Sequence, residues 1–193
     1  MKKITILGFI LISIIAKAQE EASVEKNLYG VQLGIVNASF YYETQLDRKI
    51  TLRTEAGLNL VSSTKEYDDP TIEDNTTTQI SPYLTLEPRW YYSLDRRKRL
   101  EKNIKNNSSN YISLRTSYDF TKMPLIQNGD FDIAPALSIV PKFGMRRVFA
   151  KHFNYEFSGG VGYQYNIFDK TDNCNCDHSD ATIDVQIRIG YDF

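Results

Sequence analysis

The chain has 193 residues, of which 41% are apolar and 24% charged, with a formal net charge of -1. That length suits one domain, the apolar content excludes a disordered chain, and the charge balance gives no global attraction to nucleic acid or another polyanion. A mean hydropathy of -0.40 offers nothing to a bundle of membrane helices, yet is compatible with a membrane barrel, which places only alternate residues in lipid.

Lys2 and Lys3 precede the apolar run Ile4 to Ile15, followed by Ala16-Lys17-Ala18. A basic start, a short apolar core and small residues at the minus-three and minus-one positions predict a secretory signal over 1–18, cut after Ala18. The run is shorter than the roughly 20 residues a spanning helix requires, so an uncleaved anchor is the weaker alternative. Cysteine does not follow the cut, which argues against a lipid anchor. Residues 19–27 are polar and acidic, and are expected as a short tail.

From Leu28 the chain alternates. Tyr29, Val31, Leu33 and Ile35 are apolar against Gly30, Gln32 and Gly34, and a tight connection is expected at Asn37-Ala38. Phe40, Tyr42, Thr44 and Leu46 then oppose Tyr41, Glu43 and Gln45, with a turn at 47–49. The third strand, 50–61, sets Leu52, Ala56, Leu58 and Leu60 against Arg53, Glu55, Gly57 and Asn59. A period of two places alternate side chains on opposite faces of a strand. Residues 62–79 break the pattern and read as a long loop. The fourth strand, 80–94, opposes Leu84, Leu86, Trp90 and Tyr92 to Tyr83, Thr85, Glu87, Arg89 and Tyr91. A basic, Asn-rich stretch over 95–110 and a fifth strand over 111–118 follow, then a loop over 119–132. The sixth strand covers 133–148, a turn 150–152, the seventh strand 153–165 and a last loop 166–180. The closing strand, 181–193, is the most regular: Ile183, Val185, Ile187, Ile189, Tyr191 and Phe193 against Asp184, Gln186, Arg188, Gly190 and Asp192.

Eight such strands predict an all-β, eight-stranded antiparallel up-and-down barrel over 28–193. Alternation alone does not separate a membrane barrel from a soluble one. The polar face does: Gly30, Gly34, Gly57, Ala136, Gly144, Gly160, Gly162 and Gly190 are small, and Lys142 is its one lysine. Small residues suit a lumen only wide enough to be filled by side chains. Aromatics gather at strand ends, Tyr29, Trp90, Tyr92, Phe153, Tyr155, Tyr191 and Phe193 at one end and Phe40, Tyr42, Tyr118, Tyr163 and Tyr165 at the other. Two belts are what two lipid headgroup layers select. Pro82, Pro88, Pro135 and Pro141 fall inside strands, where a missing N–H predicts bulges or kinks.

The exported start, the eight alternating strands and the final Phe193 resemble the small bacterial outer-membrane barrels of the OmpA-barrel, OmpX and OmpW type. The segment Leu86-Glu87-Pro88-Arg89-Trp90-Tyr91-Tyr92 with its basic sequel is similar to outer-membrane β-barrel domain proteins. The resemblance covers almost all of the mature chain and carries no reaction. It implies a transmembrane barrel in the outer membrane, a monomer whose surroundings are lipid and lipopolysaccharide, with 19–27 in the periplasm. It also implies that Tyr191 and the terminal Phe193 are the signal met by the barrel-assembly machinery. No cofactor, metal or nucleic acid is expected.

Eleven charges take the inward parity: Glu43, Arg53, Glu55, Glu87, Arg89, Arg115, Lys142, Arg146, Glu156, Asp184 and Arg188. Confined charges must pair, because an isolated one is costly to desolvate. A salt-bridged plug is therefore expected, with a narrow switchable pore as the alternative. The basic run Arg96 to Lys105 is a candidate short helix, with Leu100 and Ile104 one turn apart, either solvated or meeting anionic headgroups or cell-wall polymer. Asp68, Asp69, Glu73 and Asp74 read as a solvated acidic loop. Cys174-Asn175-Cys176-Asp177-His178 reads as a candidate disulfide between Cys174 and Cys176, in competition with a metal site that lacks a fourth ligand. Outer-membrane lipid-modifying enzymes need a histidine beside a serine or acid at the outer rim. Only His152 and His178 exist, and neither is so placed, so no enzyme is expected.

Overall fold

The computed structural model describes residues 21–65, 75–129, 132–167 and 179–193. Nine strands appear in chain order: β1 Asn27–Gly34, β2 Asn37–Asp47, β3 Ile50–Lys65, β4 Asn75–Trp90, β5 Asn110–Asp119, β6 Ile126–Asn128, β7 Ala136–Val148, β8 Phe153–Asn166 and β9 Ser179–Asp192. One short helix, α1 Leu94–Arg99, and a 3-10 turn at Lys105–Asn107 lie between β4 and β5. Eight strands pair antiparallel with their neighbours, and β1 pairs with β9 from Gly30 opposite Asp192 to Gly34 opposite Arg188, closing the barrel. The predicted eight-stranded antiparallel barrel is the fold.

Both chain ends of the barrel lie at one end, here the near end, where Phe193 N–H donates to Tyr29 O at 3.1 Å. The β2–β3 turn, α1 and the β7–β8 turn share it, while the long hairpins lie at the far end.

Several boundaries differ from the sequence-based expectation. The first turn is Ile35-Val36, and Asn37 and Ala38 already pair in β2, opposite Asn59 and Leu58. Of the stretch 62–79, the described residues 62–65 and 75–79 are strand: threonine and serine pair across it, Ser62 opposite Thr78 and Thr64 opposite Thr76. Polar composition concealed a ladder that β-branched threonine supports. β4 stops at Trp90 and Leu94 opens the helix. The loop 119–132 contains β6, which pairs with β4 at Thr78, Gln79 and Ile80, above the point where β5 ends opposite Tyr83. β5 has 10 residues against 16 in β4, so without β6 the upper edge of β4 would present unpaired backbone groups.

Pro82, Pro88 and Pro141 cause no register shift, so of the expected bulges or kinks the bulges do not form there. Instead rungs are missing: β4–β5 pairing skips from Leu86 to Arg89 around Pro88, and β7–β8 pairing skips from Ile139 to Lys142 around Pro141. Among the described residues the one register shift is between Gln45 and Asp47, and Pro135 precedes β7 rather than lying in it.

The apolar set faces outward. Ile183, Val185, Phe143, Leu33 and Val161 are between 62% and 75% exposed. The inward set is polar and buried. Near-end aromatics form a chain of ring contacts: Tyr29 on Phe193, Phe193 on Tyr191, Tyr191 on Phe153, Phe153 on Phe149 and Phe149 on Tyr155. Tyr42, expected at the far end, lies directly opposite Tyr29 and donates to Asn27 Oδ1 at 2.7 Å, so it joins the near belt.

Candidate functional site

All eleven predicted inward charges reach the interior, and they meet there. Glu156, on β8, is the hub of the near half. It accepts from Arg89 at 2.8 and 3.1 Å, from Tyr111 at 2.7 Å and from Arg146 at 3.4 Å, with Arg53 at 3.7 Å. Arg89 also holds Glu87 at 2.8 Å, and Glu87 accepts from Ser113 at 2.6 Å. Arg188 Nη1 donates to both Glu55 oxygens, at 2.8 and 3.0 Å, and Arg53 donates to Glu55 at 3.1 Å and to Gln32 at 2.5 Å. Glu43 accepts from Thr51, Tyr91 and Asn107, each at 2.8 Å. Forked, charge-assisted bonds of this kind are the strong ones, and they offset the cost of burying ions. Guanidinium groups also lie over rings, Arg53 at 3.8 Å from the Tyr41 centroid and Arg89 at 4.3 Å from that of Tyr111.

A second cluster sits farther up. Asp184 joins Arg115 at 3.2 Å and Lys142 at 3.0 Å. Gln186 connects the two clusters, donating to Asp184 at 3.3 Å and accepting from Arg188.

Small residues make this filling fit. A side chain at Gly144 would enter the Tyr111 ring, and one at Gly30 would meet the backbone of Tyr191 and the Tyr41 hydroxyl. The close approach of a neighbour, rather than a turn, explains both glycines.

Several interior residues were not singled out beforehand. Asp192, paired with Arg146 at 2.6 Å and with Tyr41, lies in the closing strand at inward parity and was legible as such. It brings the paired interior to six basic and six acidic side chains. Tyr41, Tyr83, Tyr91 and Tyr111 are buried at the same parity. Their hydroxyls supply donors that carboxylates need, as Tyr83 does to Glu55 at 2.7 Å.

For the stretch 91–109 the sequence offers a strand end to 94 and a candidate short helix over Arg96 to Lys105; a short helix forms, but earlier, at Leu94–Arg99. The stretch folds under the near end as a cap. Asn106 and Asn107 have φ of 48° and 60°, the left-handed region that asparagine tolerates better than most residues. Asn107 reaches up to Glu43, and its Oδ1 accepts from Glu25 N–H at 2.8 Å. Asn106 donates to Asp192 at 2.9 Å, and its carbonyl accepts from Arg146 at 2.9 Å. The tail packs here too. Ala22 and Val24 are buried with Leu94, Tyr91 and Tyr111, and Ile104 covers them. Val24 N–H donates to Arg48 O at 2.9 Å, and Ala22 N–H to Asp95 at 3.1 Å. The described part of the expected short tail is docked on this cap.

The far half is hollow. A cavity of about 230 Å³ stands on Arg115, Asp184 and Gln186 with Ser138 and Val140 in its wall. It adjoins a wider one of about 620 Å³, reaching Ser62, Thr121 and Asn166. Asp119 borders both and accepts from Asn59 at 3.4 Å.

His152 stacks on Tyr191 at 5.2 Å and lies 2.9 Å from Asp192 O, at the near end. Cys174, Cys176 and His178, and the acidic residues Asp68, Asp69, Glu73 and Asp74, lie outside the described residues. Among the described residues, no group of three or more His, Cys, Asp or Glu could hold a metal ion. No family model, curated protein or solved structure matches this chain.

Proposed function

We propose that the chain is an integral outer-membrane barrel that serves as a closed scaffold, with no catalytic role. Its near end faces the periplasm, and its far end displays hairpins outside the cell. The observation that carries this is the inversion of the barrel: an exposed apolar wall around a charged, paired interior. Soluble monomers rarely expose contiguous apolar surface of this extent, and lipid is the solvent that removes the cost. The wall contacts lipid, lipopolysaccharide borders the far rim, and Tyr191 with Phe193 engages the assembly machinery, in keeping with the resemblance to OmpA-, OmpX- and OmpW-type barrels. The role is then envelope integrity or adhesion by the displayed hairpins.

The test is gel mobility of protein from fractionated outer membrane, with and without boiling. A fast band that slows on boiling is expected, and an unshifted band from the soluble fraction would refute the membrane reading. A second reading, a narrow channel for a small solute, is favoured by the far-end cavity that descends to Asp184. It requires the near-half plug to rearrange. In planar bilayers the scaffold gives no stable conductance steps, whereas steps altered by Arg89→Gln would favour the channel.

A further inference from the structure

We propose that the near end carries an anion site, built around Arg97 and Arg147, that takes the phosphate group of an anionic phospholipid. It deepens the membrane reading, from which its lipid source follows.

Four cationic side chains converge on one small hollow of about 160 Å³: Arg96, Arg97 and Lys102 from the α1 segment and Arg147 from β7, with Leu100 beside them. Elsewhere in this molecule, cations brought together are interleaved with carboxylates. Here, among the described residues, no carboxylate oxygen lies within salt-bridge distance of any of the four. What holds the two half-buried guanidinium groups is neutral. Arg97 donates to Asn103 O at 2.8 and 3.2 Å, and Arg147 to Arg146 O at 2.7 Å and Asn110 Oδ1 at 2.5 Å. Carbonyl oxygens orient a guanidinium without cancelling its charge, and each group has five N–H donors. Each group keeps N–H donors beyond those given to these oxygens, and guanidinium donors match phosphate oxygens bidentately. Burial pushes the Arg97 guanidinium down from its ordinary value, as expected of a cation whose desolvation no carboxylate offsets.

The position identifies the phosphate's source. Arg147 lies directly opposite Tyr155 across β7–β8. Tyr155 contacts Phe149 in the near-end belt, and Trp90 and Tyr92 flank the start of the α1 segment. Amphipathic rings of this kind sit at headgroup depth. Leu100, 54% exposed at the same hollow, gives a surface for the glycerol and first acyl carbons. A free phosphate would use the cations but has no use for Leu100.

The test uses the full chain in neutral detergent, with lipid retention read by native mass spectrometry. Phosphatidylglycerol and phosphatidylcholine are added in turn to wild type, to an Arg97→Gln/Arg147→Gln variant, and to a Lys151→Gln control at the neighbouring turn. Wild type and the control are expected to retain phosphatidylglycerol over phosphatidylcholine. The double variant should lose about tenfold in affinity, equivalent to about 1.4 kcal/mol, while keeping its heat-dependent gel shift. Retention that survives millimolar inorganic phosphate supports the lipid source. Displacement by inorganic phosphate overturns that source. Equal retention by wild type and the double variant, with the gel shift intact, overturns the site and leaves the membrane reading standing. Absence of the gel shift in wild type overturns the membrane reading and the lipid source together.

Discussion

The two halves of the barrel interior share the pairing of carboxylates with cations and end in different states. In the near half, Glu156 stands among three arginines and a tyrosine, every member is buried, and the docked tail and the 91–109 cap close the end below. In the far half, Asp184 pairs with Arg115 and Lys142 at the bottom of a cavity, and Arg115 keeps 11% of its side chain exposed. The strands do not account for the difference, because they run through both halves. Tyrosine does, in part. Tyr41, Tyr91 and Tyr111 fill the near half with rings and donate or accept at its carboxylates and guanidinium groups. The far half has Ser117, Ser138, Gly162 and Thr182 at the corresponding parity, which leave space. A barrel of this size is therefore plugged only where its residues are large enough to plug it.

The sharpest way to break that comparison is Glu156→Gln. It leaves Arg89, Arg146 and Arg53 buried around a neutral amide, and orphaning a buried ion pair costs about 3–5 kcal/mol. Urea titration of the refolded protein in vesicles, read by the gel shift, should show a large fall in midpoint. Asp184→Asn removes the corresponding hub from the far half. Solvent in the cavity can rehydrate Arg115, which lines it, so a smaller loss of about 1–3 kcal/mol is expected. Equal losses in the two variants would mean that the far half is as dry as the near half, and the contrast would fall.

The sequence made the wall and most of its lining legible because both obey a period of two. Ile183, Val185 and Ile187 point outward, and Arg188, Glu156 and Arg89 inward, for the same geometric reason. Proline at outward parity preserved that period while removing rungs, so Pro88 and Pro141 left the phase readable and the ladder not. Illegible were the parts that depend on meeting another segment. Asn106 and Asn107 matter because their backbone turns left-handed beneath Glu43 and Asp192, and no spacing in the sequence announces that. β6 exists because β4 outruns β5, a fact about strand lengths that composition around 119–132 conceals. The cationic hollow was half legible: the run Arg96 to Lys105 was plain, but Arg147 reaches it from another strand.

The cap itself supplies the smallest and most selective probe of the sealed half. Asp95 accepts from Lys49 and from the Ala22 backbone N–H, tying the tail to the helix. The hydrogen bond from Lys49 is the main reason its carboxyl is held below the ordinary carboxylate value. Partial burial opposes the shift, and the Ala22 N–H reinforces it. A carboxyl held low binds fewer protons folded than unfolded, so its contribution is complete above the ordinary carboxylate range and is lost as pH falls through the folded value. The pair is about one-third exposed, which limits the effect to about 0–1 kcal/mol. Wild type should exceed Asp95→Asn slightly in urea midpoint at neutral pH, and the two should converge on acidification. If the gap persists unchanged in acid, packing of Ala22 and Val24 against Leu94 holds the tail, and the Asp95 charge does not. The near half would then be closed by apolar contact below and by ion pairs above, two independent seals.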